Sequence, residues 1–197
     1  VPDSAGTATA MNSGIKTRAG VIGVGPAAHL NDCAEGLANR VQTLGEIAKA
    51  NGKGLGIVTT TRITHATPAA VFAHSAQRDW EDDKSIPDTE RAKGCTDIAA
   101  QLVDTPFDIA LGGGFANFYG KAKGGKRLDA NADLPGVWAA KTGGAFVTNT
   151  AGLAATRGRK GPVLGLFTPS HMNFMLDRKA DSQEPTLTDM TVAAIEK

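Results

Sequence analysis

Two spacings of apolar residues alternate along this chain, and together they mark out its elements. Leu37, Val41, Leu44 and Ala48 recur every three or four positions, which predicts an amphipathic helix over residues 36–51 ended by Gly52. Leu55-Gly56-Ile57-Val58 runs into Thr59-Thr60-Thr61, an apolar then β-branched stretch that reads as a buried strand. Phe107–Leu111 predicts a short strand entering the Gly112–Gly114 turn, and Val163–Phe167 another buried strand. A run of small residues from Ser4 has helical propensity and reaches Gly14, where a helix would stop. Thr67-Pro68 opens a helix reaching about Arg78, and Cys95–Leu102 predicts a further one. Thr186-Leu187-Thr188-Asp189 has capping-box spacing at the start of a last helix. Gly20–Gly25 reads as a short strand or extended loop, residues 79–93 as a polar surface segment, and residues 115–160 give no clear pattern. Helices alternating with apolar strands predict an α/β fold, a mostly parallel sheet flanked by helices. No internal repeat or linker interrupts it, so residues 1–197 read as part of a single domain.

Composition narrows this little. With 41% hydrophobic residues and 24 glycines the chain can bury a core, and no apolar run is long enough for a membrane span. Lysine and arginine number 21 against 20 acids, so charge gives no reason to expect a nucleic-acid partner. Arg157-Gly158-Arg159-Lys160 reads as a solvated turn. Val1 is not an initiator, no signal peptide precedes it, and Lys197 falls within a helical pattern; the expectation is a processed protein or an internal portion of a longer chain. Cys33 and Cys95 are compatible with one disulfide in an oxidising compartment, or with two unrelated buried thiols.

Candidate chemistry begins at Asp3-Ser4. An acidic residue and a hydroxyl at a helix start sit beside unpaired N–H groups and the positive dipole end, a place suited to phosphate. Ser4 reads as an N-cap or first-turn residue, and the plainer reading is an ordinary N-cap serine. Gly23-Val24-Gly25-Pro26-Ala27-Ala28 fits a G-x-G-x-x-A dinucleotide pattern, but Pro26 removes an N–H from the would-be phosphate turn. Gly112–Gly114 lacks the Lys-Ser/Thr partner of a phosphate loop and reads as a tight turn after a strand. His29, His65, His74 and His171 show no zinc-ligand spacing, and His74 reads as a satisfied structural histidine.

The stretch Val1-Pro2-Asp3-Ser4-Ala5-Gly6-Thr7-Ala8-Thr9-Ala10 resembles the nucleophile segment of the alkaline phosphatases. The resemblance continues in order through Val58–Arg62, His65-Ala66-Thr67-Pro68-Ala69, Ala73-His74, Arg78, Gly94–Leu102, Leu111–Gly114, Leu164–Phe167 and Glu184–Met190. It covers nearly the whole chain and is weakest over residues 115–160. It implies an incomplete part of an alkaline phosphatase-like α/β fold, whose parent extends beyond both ends, and the hydrolysis of phosphate monoesters through a phosphoserine. Ser4 falls on the family's nucleophile, Arg78 on the arginine that holds two phosphate oxygens, and Asp3 on the neighbour that positions this arginine. His65 falls on a phosphate-side position where animal members carry His and some bacterial ones Asp, which places this chain nearer the animal-like branch. Thr67 matches the hydroxyl ligand of the magnesium site, and Ser4 is the one zinc-contacting position here.

Two Zn²⁺ ions and one Mg²⁺ are implied as cofactors, with most of their ligands outside this stretch. The implied partners are phosphomonoester substrates and inorganic phosphate, in a homodimer and without nucleic acid. The implied location is secreted, periplasmic or cell-surface, with Cys33 and Cys95 joined as in animal-type members. By itself the 197-residue stretch is expected to be inactive. The alternatives are a non-catalytic anion-binding or structural fragment of that fold, and a dinucleotide-dependent oxidoreductase should Gly23–Ala28 hold a pyrophosphate.

Overall fold

The computed structural model describes residues 2–197 and divides them into two compact units, one running to Lys53 and resuming over Thr64–Thr105, the other Gly54–Ile63 with Pro106–Lys197. The first unit is helical: α1 (Ser4–Ser13), α2 (Cys33–Ala38), α3 (Leu44–Ala50), α4 (Ala66–Ala69), α5 (Asp88–Arg91) and α6 (Ile98–Asp104). Helix α1 runs between the start and stop its sequence predicts, but its N-cap is Asp3 and not Ser4, which is the first helical residue. Asp3 caps it by accepting from the Gly6 N–H, and Gly14 closes it at φ 72°, where the Gly14 N–H donates to the Ala10 carbonyl.

Four expectations in this unit need correction. The predicted helix over residues 36–51 is two helices. Residues 39–43 leave the helical path because Gly25 donates to the Asn39 carbonyl and Val41 donates to the Gly23 carbonyl. Thr43 then restarts the chain with a capping box on Glu46. The helix predicted from Thr67 to Arg78 is the single turn α4, entered from His65, because Ser75 pairs with Ile22 across an isolated bridge. Residues 79–93 do not lie wholly on the surface: Trp80 and Ile86 are buried against Cys33 and Ala76. The helix predicted from Cys95 begins later, at Ile98, capped by Asp97. Cys33 and Cys95 form a disulfide, with Cα atoms 5.8 Å apart.

The glycine pair of the G-x-G-x-x-A pattern serves this packing. Gly23 sits at φ 60°, donates to the Thr9 hydroxyl and accepts from Val41; no strand leads into it, and the next helix starts only at Cys33. The dinucleotide reading therefore fails: the N–H groups a pyrophosphate would need are bonded to the protein. A Cβ at Gly23 would stand 2.1 Å from the Ala73 carbonyl oxygen. Gly23→Ala should accordingly destabilise by about 2–4 kcal/mol, the clash adding to the left-handed strain. A urea midpoint within error of the parent's would refute this.

The second unit holds the sheet. Strands β1 (Gly56–Arg62), β2 (Ile109–Gly113), β3 (Ala145–Val147) and β4 (Val163–Leu166) are all parallel, in the order β1-β2-β4-β3. Helices α7 (Leu134–Thr142), α8 (Thr150–Ala154) and α9 (Leu187–Ile195) connect and flank them. Central strands β2 and β4 are fully buried, and Ile109, Leu111, Val163 and Phe167 meet Leu153 and Met190 in the core. β1 was expected to be buried. In it only Ile57 is, because it lies at the edge of this sheet. The capping box of α9 forms as predicted, Thr186 and Asp189 bonding each other's backbone N–H. Gly112 and Gly113, read as part of a turn, are instead the last residues of β2, and crowding explains the glycine run: side chains there would strike Thr59, Ser170 and Arg62.

Candidate active site

Four of the sequence-predicted residues meet at the start of α1. Asp3 is the N-cap and Ser4 the first helical residue, so local chain geometry alone sets their two oxygens side by side. Arg78 comes from 74 positions away. Its Nη1 donates to Ser4 Oγ at 2.8 Å and to Asp3 Oδ2 at 3.2 Å. Its Nη2 lies 3.3 Å from His65 Nε2, within hydrogen-bond reach of that ring nitrogen. Backbone bonding holds the same frame: Arg78 N–H donates to the Gly20 carbonyl, and Gly20 N–H donates to Asp3 Oδ2.

Burial of the Asp3 carboxyl works to raise its pKa, but the hydrogen bonds from Gly6, Arg78 and Gly20 outweigh it and hold the group below the ordinary aspartate value. A group depressed on folding stabilises the fold above its unfolded pKa, and that contribution is lost as pH falls through the folded value. Asp3 should thus be fully stabilising at neutral pH and lose its effect as pH falls below the ordinary aspartate range. Asp3→Asn should flatten the acid limb of a urea-stability profile; parallel acid limbs for the two proteins would disprove the assignment.

Thr67 is not drawn into this cluster. It sits exposed on α4, and among the described residues no hydrogen bond joins it to Ser4, Arg78 or His65. No group of three or more His, Cys, Asp or Glu able to hold a metal occurs among the described residues. His74 is structural, as predicted: Nδ1 bonds the Gly23 carbonyl and Nε2 faces Glu46. Pattern reading missed Glu81, a buried carboxylate three residues past Arg78 that accepts from the Thr64 hydroxyl at 2.5 Å. The signal available was Trp80, an aromatic within the segment placed at the surface.

A hydroxyl at a helix N-terminus, with an arginine on it and a carboxylate behind the arginine, is an arrangement suited to an anion such as phosphate. Comparison with known proteins gives the family. The sequence profile of the family described as "Alkaline phosphatase" matches residues 1–197, and the chain belongs to that family. It is 38% identical to human tissue-nonspecific alkaline phosphatase over 214 residues, covering 100% of this chain and 40% of that protein. Alkaline phosphatase 4 of Drosophila melanogaster is also 38% identical, with 99% and 36% covered. Among solved structures, Thermus thermophilus alkaline phosphatase superposes with a TM-score of 0.74 at 28% identity, covering 99% of this chain and 35% of that one. The cold-active Shewanella enzyme gives a TM-score of 0.71 at 28% identity, covering 100% of this chain and 39% of that one. The chain thus spans about two fifths of the curated relatives it matches, consistent with a partial fold.

Proposed function

We propose that this chain carries the nucleophile and the phosphate clamp of a metal-dependent phosphomonoesterase working through a phosphoserine. The observation that carries the reading is the 2.8 Å contact between Arg78 Nη1 and Ser4 Oγ at a helix N-terminus capped by Asp3. In the first step Ser4 Oγ forms a bond to phosphorus as the ester P–O bond breaks, and the alcohol departs with a proton. In the second, water attacks the phosphoserine, releasing inorganic phosphate and restoring the hydroxyl. Arg78 exchanges its Ser4 contact for two phosphate oxygens and offsets charge on them in the transition state, while Asp3 keeps the guanidinium aimed at the helix end. His65, facing Arg78, borders the same phosphate position.

The family's two zinc ions and one magnesium supply Lewis-acid activation of nucleophile and leaving group when bound. The donors described here do not fit a complete metal site, Ser4 and Thr67 being single hydroxyl ligands. This chain's own residues therefore supply binding and orientation, and the isolated 197-residue stretch should bind zinc weakly and turn over p-nitrophenyl phosphate negligibly. Substantial Ser4-dependent turnover by it would overturn that division of labour. The disulfide supports an oxidising location, secreted, periplasmic or cell-surface, and among the described residues no helix is long and apolar enough to cross a membrane. The substrates we infer are phosphate monoesters, and the assembly we infer from family membership is a homodimer.

Arg78→Ala in the full-length protein tests the clamp. It should weaken inhibition by inorganic phosphate by about 1.5–3 kcal/mol, roughly 13- to 160-fold, as for loss of a charged hydrogen-bond partner. An unchanged inhibition constant would remove Arg78 from the site and favour the structural-fragment reading.

A further inference from the structure

The backbone around Arg78 is gripped on both sides, and a covalent bond joins the two grips. On the N-terminal side, Asn31 N–H donates to the Ala76 carbonyl at 2.9 Å, and Gln77 Nε2 donates to Asn31 Oδ1 at 2.9 Å. Asn31 does this from φ 65°, the one non-glycine among the described residues at positive φ, a conformation tolerated by Asn better than by most side chains. On the C-terminal side, Ile98 N–H donates to the Trp80 carbonyl at 2.9 Å, and Ala99 N–H to the Glu81 carbonyl. Two residues after Asn31 comes Cys33, three before Ile98 comes Cys95, and these are the disulfide. The bridge also forms the floor on which Arg78's flanks pack. Ala76 and Trp80 are both buried in one cluster with Cys33 and Ile86, with Cys95 beside them. Helix α2 presses so closely there that a Cβ at Gly36 would stand 3.1 Å from the Ala76 Cβ.

We propose that the Cys33–Cys95 bridge and the Asn31–Gln77 hydrogen bond are positioning devices for Arg78. They fix the stretch 76–80 so that the guanidinium meets the Ser4 hydroxyl without searching. A guanidinium on a long, rotamer-rich side chain loses much of its binding advantage if its backbone drifts, because both phosphate contacts depend on one planar orientation. The Asp3 contact at 3.2 Å restrains the tip only; the frame restrains the root. The inference rests on Arg78 being the phosphate clamp and adds what holds it.

The test is a double-mutant cycle in the full-length protein, read as the inhibition constant for inorganic phosphate at a temperature where every variant is folded. Cys33→Ala/Cys95→Ala should raise that constant about fivefold or more, a coupling within the range of contacting residues. The same pair of changes made on an Arg78→Ala background should raise it no further, since there is no guanidinium left to misplace. Asn31→Gly keeps the positive φ but removes the bond to Gln77. It should shift phosphate inhibition in the same direction with the disulfide intact, and it decides the matter if the cysteine variant does not fold. Gln77→Met, which has no group to donate to Asn31 Oδ1, should reproduce the Asn31→Gly shift. If the cysteine and Asn31 variants lose thermal stability but bind phosphate as the parent does, the frame is a stability device only and the proposal is wrong. If Arg78→Ala itself leaves phosphate binding unchanged, the clamp reading fails instead.

Discussion

Ser4→Ala in the full-length protein is expected to lower turnover of p-nitrophenyl phosphate by on the order of 10³-fold or more, with the folded state intact. The fold should tolerate the change because the capping bond to the Gly6 N–H comes from Asp3, not from Ser4, and Ser4 occupies the first helical position where alanine is readily accommodated. What is lost is the atom that forms the bond to phosphorus. Phosphate inhibition should persist in the variant, since the Arg78 fork and the helix N-terminus remain. A Ser4→Ala protein retaining a tenth of parental turnover would mean that the hydroxyl is a helix-start residue and no more.

The second large effect is on stability. Removing the bridge with Cys33→Ala/Cys95→Ala should cost on the order of 4 kcal/mol, because the cross-link closes a loop with a sequence separation of 62 and so restricts the unfolded chain. Deleting two sulfurs from the cluster of Ala76, Trp80 and Ile86 adds a packing loss in the same direction. Urea unfolding under non-reducing conditions should show the drop in midpoint for the variant, and the parent in a dithiol reductant should approach it. Equal midpoints for variant and oxidised parent would show that the cross-link restricts little in the unfolded state.

How far the sequence foretold this molecule depended on whether the controlling contacts were local. The start of α1 was legible because a cap, a small-residue run and a terminal glycine all lie within fourteen positions, and α9 was legible through the Thr186–Asp189 box. β2 and β4 were legible because a strand buried on both faces is simply apolar. The division of residues 36–51 was also written locally, in the Thr43-Leu44-Gly45-Glu46 capping box, but the apolar spacing of Leu37, Val41 and Leu44 ran across it and dominated. Tertiary backbone pairing decided the rest. Gly23 and Gly25 take up the 39–41 segment, and Ile22 takes up Ser75, so neither stretch is free to continue its helix.

The site divides in the same way. Asp3 and Ser4 were readable as a helix-start pair from local physics, although as a cap rather than as a nucleophile. Arg78 and His65 reach Ser4 or each other only through the fold, so no spacing rule could nominate them, and the family resemblance did. Residues 115–160 were unreadable because their elements are short: α7 is nine residues long, β3 three and α8 five, too brief for a periodicity to accumulate. Their boundaries do carry local signals, Asp133 and Asn149 as N-caps and Gly143 as the stop of α7.

The central claim, that Ser4 becomes covalently phosphorylated, is tested most directly by trapping. The full-length protein is mixed with a phosphate monoester, quenched in acid, digested, and its phosphopeptides sequenced by mass spectrometry. The account predicts one phosphoryl group, on Ser4, absent when Ser4 is alanine. Phosphate found on a different residue, or no phosphoprotein from an enzyme turning over at full rate, would contradict it.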